Sequence, residues 1–218
     1  MFIVAKGECI VNIRDEENKV IKGHRVLGHS DYFGEISLLY GSVRTATVVS
    51  RKYSTLGMLS KAKFKEICTE FPEFSLALKN GIYKYKDRMK QFLKQSLKKV
   101  DYFKEVDDKL LHEVIYNMEL KHCQEGEILQ RPGDLARDLY FVQDGVIEVY
   151  ADFDSHNFVV ERLFRGSIIN YRNWFMEDEC ATVFLRFESA GILQKLTLDK
   201  FNELMKKNPK LEEPFLRF

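Results

Sequence analysis

An internal repeat constrains the fold of this 218-residue chain more than any other feature. Residues 2–11 (FIVAKGECIV) line up with residues 140–149 (YFVQDGVIEV). Further matches lie 138 or 137 positions apart: Gly7 with Gly145, Gly28 with Gly166, Phe64 with Phe201, and Pro72 with Pro209. A nearly constant offset predicts two divergent copies of one domain.

Each copy reads as short strands followed by helices. β-branched and aromatic residues form short runs separated by turn residues, which is typical of a small β-sandwich or jelly roll. The predicted strands include residues 10–13, 20–21, 45–49, 139–142, 147–150 and 159–163, with hairpin loops at 15–18 and 152–157. Helices are predicted at 61–70, 73–98, 102–119 and 198–207. The expected fold class is mainly β with flanking helices (α+β), arranged as two tandem β-jelly rolls.

The two copies differ at their ends. A helical region and the turns of two strands precede Leu139 in the second copy, whereas the first copy begins at the equivalent of that residue. We therefore expect the first domain, residues 1–99, to lack its N-terminal portion and to expose a sheet edge unless it is completed from elsewhere. The second domain is expected at residues 100–218, and the chain reads as a window of a longer tandem array.

Composition excludes several function classes. The net charge of +1 gives no argument for a nucleic-acid partner, and no apolar run approaches the 18 residues of a membrane span. The four cysteines form no Cys-x-x-Cys pair and are expected as free thiols in or near the cores. Metal-ligand spacing and catalytic signatures are missing from the sequence. We expect no enzyme activity, no metal and no cofactor.

Residues 33–48 read FGEISLLYGSVRTATV. This run resembles the phosphate-binding cassette of the cyclic-nucleotide-binding (cNMP-binding) domain family, as found in tandem in the regulatory regions of cyclic-nucleotide-dependent protein kinases and in the tails of cyclic-nucleotide-gated channels. The family pattern is Phe-Gly-Glu, a helical turn ending in two apolar residues, a short loop, and Arg-(Ser/Thr/Ala)-Ala-(Thr/Ser)-Val. The resemblance implies cAMP or cGMP as the ligand.

The chemistry of the cassette residues suits such a ligand. Gly34 allows the backbone to approach closely, and the turn from Glu35 to Leu39, which includes Ile36 and Ser37, would direct its first N–H groups at the phosphate. Arg44 supplies a permanent charge and a fork of donors for phosphate oxygens. Glu35, an acceptor when ionised, suits the ribose 2′-hydroxyl.

Selectivity for the base is left open. In the family, a Thr or Ser at the position of Thr45 can bond the 2-amino group of guanine, so Thr45, followed by Ala46, permits cGMP without excluding cAMP. Alternatively, Thr45 is simply a β-branched residue at the start of a strand. Val26 and Leu27 are candidates to contact the base.

The second copy is expected to have lost the site. An offset of 138 puts Arg172 at the position of Gly34 and Asn173 at that of Glu35, and Arg44 falls on Ala181 or Thr182. A phosphate there would be poorly paired. Arg172 is the residue that would serve an altered site, and Trp174 is expected as a core aromatic.

The predicted helix 73–98 is the expected lid over the ligand. Its apolar stripe comprises Ile82, Tyr85, Met89, Phe92, Leu93 and Leu97, and the remainder is rich in lysine. Tyr83 or Tyr85 either stacks on the base or packs in the core. The basic face is either solvated or contacts an acidic partner or anionic lipid.

The sequence therefore predicts a regulatory module that couples cyclic-nucleotide binding to an effector outside this chain, either a kinase catalytic region or a channel pore. The expected location is the cytoplasm, including the cytosolic part of a membrane protein. One alternative is a ligand-independent interaction scaffold with a relic binding fold. A bacterial-type transcription factor is disfavoured, because Leu97 leads into another sandwich copy and not into a reading helix.

Overall fold

Each half of the chain folds into its own pair of antiparallel sheets. The computed structural model describes residues 1–14, 20–83, 85, 88–153, 156–172, 174 and 179–212. They form two units, Met1–Met89 and Lys90–Phe218. The division at 89/90 falls earlier than the predicted 99/100. In the helix that contains this division, Lys90 bonds Tyr116 and Lys94 bonds Asp108, both residues of the second unit.

In unit 1, the part of the chain that the structure describes forms six strands and the helices that follow them. In chain order the elements are β1 (Phe2–Lys6), β2 (Cys9–Arg14), β3 (Val20–Leu27), β4 (Tyr32–Phe33), α1 (Ile36–Tyr40), β5 (Thr47–Ser50), β6 (Thr55–Met58), α2 (Lys61–Glu70), α3 (Pro72–Tyr83) and α4 (Arg88–Leu97), the last of which crosses into unit 2. One sheet has the order β4-β1-β6 and the other β3-β2-β5. Val4, Cys9 and Leu27 form the buried centre between them.

The described residues of unit 2 form eight strands. Its elements are α5 (Asp101–Lys104), α6 (Asp108–Tyr116), β7 (Glu119–Cys123), β8 (Ile128–Gln130), β9 (Asp138–Asp144), β10 (Ile147–Phe153), β11 (His156–Leu163), β12 (Ile168–Ile169), β13 (Phe184–Phe187), β14 (Gly191–Thr197), α7 (Leu198–Lys207) and a 3-10 turn at Pro209–Leu211. The sheets have the orders β12-β9-β14-β7 and β11-β10-β13-β8.

The repeat and the fold class are confirmed by corresponding details in the two units. The turns after β1 and β9 contain Gly7 and Gly145 at φ +88° and +90°. A Cβ at Gly7 would lie 2.5 Å from the Ser54 hydroxyl, so only glycine fits. The helices α2 and α7 begin in the same way, since the side chains of Ser60 and Thr197 accept hydrogen bonds from the backbone three residues later.

The units differ at their sheet edges, as the sequence predicted. In unit 2, β14 and β13 have the additional neighbours β7 and β8. Their counterparts in unit 1, β6 and β5, are edge strands within the part of the chain that the structure describes. Met58 on β6 is 74% exposed. Among the described residues, β6 and β5 of unit 1 therefore leave unpaired the edges that β7 and β8 cover in unit 2.

The predicted lid helix is not continuous. α3 ends at Tyr83 and α4 begins at Arg88, and Tyr85 between them is not helical. Its N–H donates to the carbonyl of Ile82, three residues earlier, instead of the fourth as in an α-helix. The predicted apolar stripe is divided accordingly, with Ile82 buried in unit 1 and Leu93 and Leu97 buried in unit 2.

The basic face of this segment is only partly solvated. Lys94 pairs with Asp108, and the Lys98 ammonium donates to the carbonyls of Lys104 (2.8 Å) and Val106 (2.7 Å). These bonds tie α4 to α5 and α6. Lys84 and Lys86, which belong to the predicted face, lie outside the described residues.

Other boundaries also differ from prediction. The strand predicted at 45–49 begins at Thr47, and Glu119, predicted as helical, opens β7. The loop predicted at 152–157 is shorter, because Phe153 pairs with His156 across the hairpin. The loop predicted at 15–18 lies outside the described residues. Cys180 is exposed, although the other three thiols are buried or half-buried.

Candidate functional site

The cassette forms the connection between β4 and β5 in unit 1. Phe33 at its start pairs with Phe2 on β1, and their rings stack 5.2 Å apart. The short helix α1 follows and ends at Gly41, which has φ +70° and donates its N–H to the Ser37 carbonyl at 3.1 Å. The sheet and this glycine fix both ends of the turn.

Gly34 lies in contact with the side chain of Arg44. Its φ is +76°, a conformation that other residues rarely adopt. A Cβ at this position would lie 2.8 Å from Nη1 of Arg44. The expected need for glycine therefore has two physical causes, which are the backbone conformation and the close approach of the guanidinium.

Arg44 extends over the beginning of α1, although it lies ten residues further along the chain than Gly34. Its Nη1 donates to the hydroxyl of Ser37 at 2.6 Å and to the carbonyl of Gly34 at 3.0 Å. The side chain is exposed to solvent. The structure thus brings together three of the residues predicted from the cassette and presents a permanent positive charge at the start of the turn.

Glu35 is the buried charged group of the cassette. It is the N-cap residue of α1, but its side chain makes no capping bond. Its Oε1 accepts a hydrogen bond from the Tyr85 hydroxyl at 3.0 Å, and only 2% of the residue is exposed. Burial, followed by the charge of Glu35, raises the pKa of Tyr85 well above its usual range. The phenol therefore stays protonated and is a donor at neutral pH.

Arg25 and Asp31 complete a cluster that the sequence did not reveal. The Arg25 guanidinium lies 5.4 Å from the centre of the Tyr85 ring and 3.6 Å from Asp31. Asp31 in turn accepts a hydrogen bond from the backbone of Gly28 at 2.8 Å. Arg25 and Asp31 lie within ten positions of the cassette in the sequence, but Tyr85, which contacts Arg25 and Glu35, lies 50 residues from Glu35 along the chain.

The remaining predicted residues lie around this cluster in different environments. Of the two candidate base contacts, Val26 is 50% exposed, whereas Leu27 is 1% exposed and belongs to the core. Alternation along β3 turns one of two neighbouring side chains inward, so Leu27 presents almost no surface to a ligand. Ile36 and Ala46 are half-buried, and Thr45 is exposed beside Arg44.

Strand pairing corrects the predicted register of the second copy. Phe33 pairs with Phe2, and Ile169 pairs with Tyr140. Because Phe2 corresponds to Tyr140, the residue that corresponds to Gly34 is Asn170 and not Arg172. The φ of Asn170 is +66°, close to that of Gly34. The cause is a shorter hairpin: Leu27 pairs with Cys9, 18 positions away, but Leu163 pairs with Ile147, 16 positions away.

The second unit presents different chemistry at this position. Tyr171 stands where unit 1 has Glu35, and Arg172 lies against the Tyr171 ring, 5.6 Å from its centre. Thr47 pairs with Asn12, and Phe184 pairs with the corresponding Tyr150, so the counterpart of Arg44, three residues earlier, is Ala181, which is 8% exposed. Trp174 is fully buried, 4.6 Å from the Phe201 ring, as expected of a core aromatic. The groups that unit 1 gathers around its cassette have no equivalents at these positions.

Comparison with known proteins identifies the family. The family described as "Cyclic nucleotide-binding domain" matches residues 1–71 and 120–208, one segment in each unit. The chain therefore belongs to the cyclic nucleotide-binding domain family. The crystal structure of a cyclic nucleotide-binding domain from Methylobacillus flagellatus superposes with a TM-score of 0.50 at 16% identity, over 58% of this chain and 71% of that chain. This likeness concerns the fold alone.

Two curated relatives illustrate the proteins in which such domains occur. The chain is 24% identical over 171 residues to the cAMP-dependent protein kinase type II regulatory subunit of Drosophila melanogaster, covering 76% of this chain and 42% of that protein. It is 38% identical over 84 residues to the human cyclic nucleotide-gated channel alpha-3, covering 36% of this chain and 12% of that protein. The chain thus spans less than half the length of either relative. No helix in the described parts of the chain is long and apolar enough to cross a membrane.

Proposed function

We propose that unit 1 binds a cyclic nucleotide, cAMP or cGMP, and that this binding regulates an effector outside the chain. The observation that carries the proposal is the position of Arg44 over Gly34 and Ser37, beside the buried carboxylate of Glu35. An exposed guanidinium suits a phosphodiester anion, and a carboxylate suits the ribose hydroxyl. Arg44 would exchange its present bonds to Ser37 and Gly34 for bonds to phosphate oxygens.

The proposed site contains the nine predicted residues, which differ in the part of the nucleotide that they are proposed to bind. Arg44 and the turn of Gly34, Ile36 and Ser37 bind the phosphate, and Glu35 binds the ribose. Thr45, Ala46 and Val26 are proposed to contact the base, and Leu27 supports β3 from the core.

The proposed module is regulatory and has no catalytic step. Residues 1–99 would contain the sensor and the connecting segment, and residues 100–218 a degenerate copy that serves packing or docking. The effector would be a kinase catalytic region or a channel pore, in keeping with the names of the relatives. The proposed location is the cytoplasm, which includes the cytosolic part of a membrane protein.

A second candidate function is a ligand-independent scaffold. The bond from Tyr85 to Glu35 favours it, since the carboxylate proposed for the ribose already has a partner within the protein. In this case the fold would be kept for interaction and the cassette would be a relic.

Calorimetric titration of the whole chain with cAMP and with cGMP tests the proposal. We expect saturable binding of one nucleotide per chain, because unit 2 has Asn170, Tyr171 and Ala181 at the positions of the ligand groups. Circular dichroism shows whether the sample is folded. The absence of heat with either nucleotide in a folded sample would refute the proposal in favour of the scaffold, and two sites per chain would show that unit 2 also binds.

Thr45→Ala is expected to lower the affinity for cGMP about fivefold, the effect of one neutral hydrogen bond, and to leave the affinity for cAMP within about twofold. Thr45 is exposed and follows Arg44 in the chain, and its hydroxyl is proposed to accept from the guanine 2-amino group. Competition of each nucleotide against a fluorescent analogue gives the ratio. Thr47→Ala, an exposed threonine at the start of β5, is the matched control. An equal loss for both nucleotides would contradict a role in base selectivity.

A further inference from the structure

The hydroxyl of Tyr85 bonds Oε1 of Glu35, the carboxylate that the proposed function assigns to the ribose. We propose that Tyr85 is a latch on the site: in the ligand-free protein its phenol bonds Glu35, and the 2′-hydroxyl of a bound nucleotide must displace it. This inference rests on the proposed function of unit 1 and adds a competitor for one of its ligand groups.

The burial of Glu35 makes displacement necessary. Only 2% of the residue is exposed, so a hydroxyl arriving from solvent cannot come within bonding distance while its surroundings stay as they are. The hydrogen bond to Glu35 from Tyr85 is 3.0 Å long and comes from a half-buried side chain. Withdrawal of that side chain is the movement that would free the carboxylate with the least disturbance of the sheets.

The latch is stabilised from a second direction. Arg25 lies over the Tyr85 ring at 5.4 Å and is itself oriented by Asp31 at 3.6 Å. A cation on the face of a tyrosine ring is attractive. Burial and the charge of Glu35 raise the pKa of Tyr85, so the phenol remains a donor. The closed arrangement is therefore a defined state and competes with the ligand.

The position of Tyr85 gives the latch a mechanical consequence. It lies between α3 and α4, and its N–H bonds the carbonyl of Ile82 in the last turn of α3 at 3.0 Å. Displacement of its side chain would therefore act on this backbone bond to the last turn of α3.

Exchange of one hydrogen bond for another predicts an unusual ligand preference. In the wild-type protein, the ribose hydroxyl reaches the buried Glu35 only after Tyr85 has withdrawn and given up its own bond, so the net contribution of the ribose hydroxyl to binding is small. Without the phenol, the same hydroxyl would satisfy a buried carboxylate that has lost its partner. A nucleotide that lacks the 2′-hydroxyl leaves the latch closed.

The experiment measures the affinity of cAMP, cGMP and their 2′-deoxy forms for the wild-type chain and for Tyr85→Phe, by calorimetry. We expect the wild type to discriminate less than about fivefold between the ribose and 2′-deoxyribose forms, and Tyr85→Phe to bind the ribose forms at least about fivefold more tightly than wild type, since a bond to a charged acceptor is no longer opposed. The 2′-deoxy forms should show no such gain. Tyr53→Phe, which alters a fully exposed tyrosine of the same unit, should change nothing.

The outcomes distinguish a failure of the latch from a failure of the proposed nucleotide-binding function. Discrimination above about fivefold by the wild type, or binding by Tyr85→Phe that is unchanged or weaker, overturns the latch and leaves the proposed function standing. Binding by Tyr85→Phe but not by the wild type supports the latch and refutes nucleotide binding by the wild-type protein. Binding by neither protein, with both folded by circular dichroism, refutes the proposed function and the latch with it. Should Tyr85→Phe not fold, the discrimination by the wild type decides by itself.

Discussion

Arg44→Ala is expected to weaken cyclic-nucleotide binding about 100-fold, near 3 kcal/mol, because bonds from a charged donor to an anion are lost without replacement. The protein itself should remain folded. Arg44 is exposed, and its two bonds are to Ser37 and Gly34, both of which water can satisfy. Calorimetric titration gives the affinity, and thermal unfolding followed by circular dichroism gives the stability.

Two control variants separate geometry from charge. Arg44→Lys keeps the positive charge but loses the planar fork, so we expect an intermediate loss of about tenfold. Arg51→Ala removes an exposed arginine of the same unit that pairs with Glu8 at 3.1 Å, and its affinity should match that of the wild type. An Arg44→Ala protein that is folded and binds as tightly as the wild type would contradict the phosphate role of this residue.

Trp174→Ala is expected to lower the free energy of unfolding of unit 2 by about 3–5 kcal/mol, the usual loss for a fully buried aromatic. Trp174 is 0% exposed and contacts Phe201 and Phe103, with ring centres 4.6 Å and 5.8 Å away. Its removal would leave a cavity in the aromatic cluster that Trp174 forms with Phe103 and with Phe201 of α7. Urea denaturation of the whole chain, followed by circular dichroism, measures the change.

Phe164→Ala is the matched control for this substitution. Phe164 is an aromatic residue of the same unit that is 56% exposed, and its loss should change the free energy of unfolding by no more than about 0.5 kcal/mol. A loss below about 1 kcal/mol for Trp174→Ala would mean that the cluster relaxes around the cavity.

Features that depend on local patterns were predictable from the sequence. The helices at 61–70 and 198–207 occur at the predicted residues, because Ser60 and Thr197 are N-caps that precede an apolar periodicity. The paired glycines after β1 and β9 identified the repeat for a physical reason, since both have a positive φ where a side chain would collide with the adjoining turn.

Features that depend on length differences between the copies were not predictable. The β2–β3 hairpin contains two more residues than the β10–β11 hairpin, so a constant offset matched Gly28 with Gly166. In the structure, Gly166 corresponds to Ser30, and both donate to the equivalent carbonyls of Val142 and Val4. Insertions in a hairpin leave no mark on the hydrophobic pattern that flanks them.

The interaction of Tyr85 with Glu35 required the tertiary structure. The helical periodicity of residues 73–98 predicts one continuous helix, with Tyr85 as a member of its apolar stripe. What interrupts the helix near Tyr85 is not visible in the local sequence, and its partners Glu35 and Arg25 come from the cassette and from β3. Long-range polar partners of this kind are set by the fold and not by spacing.

The chain has a single tryptophan, and it is sealed in the aromatic cluster of unit 2. Trp174 is therefore an intrinsic fluorescence probe in the unit that does not contain the cassette. Excitation near the red edge of protein absorption, where tyrosine is silent, would report the surroundings of Trp174 alone. Any change in its emission on adding a nucleotide to unit 1 would be a signal that had passed from one unit to the other, recorded without a label.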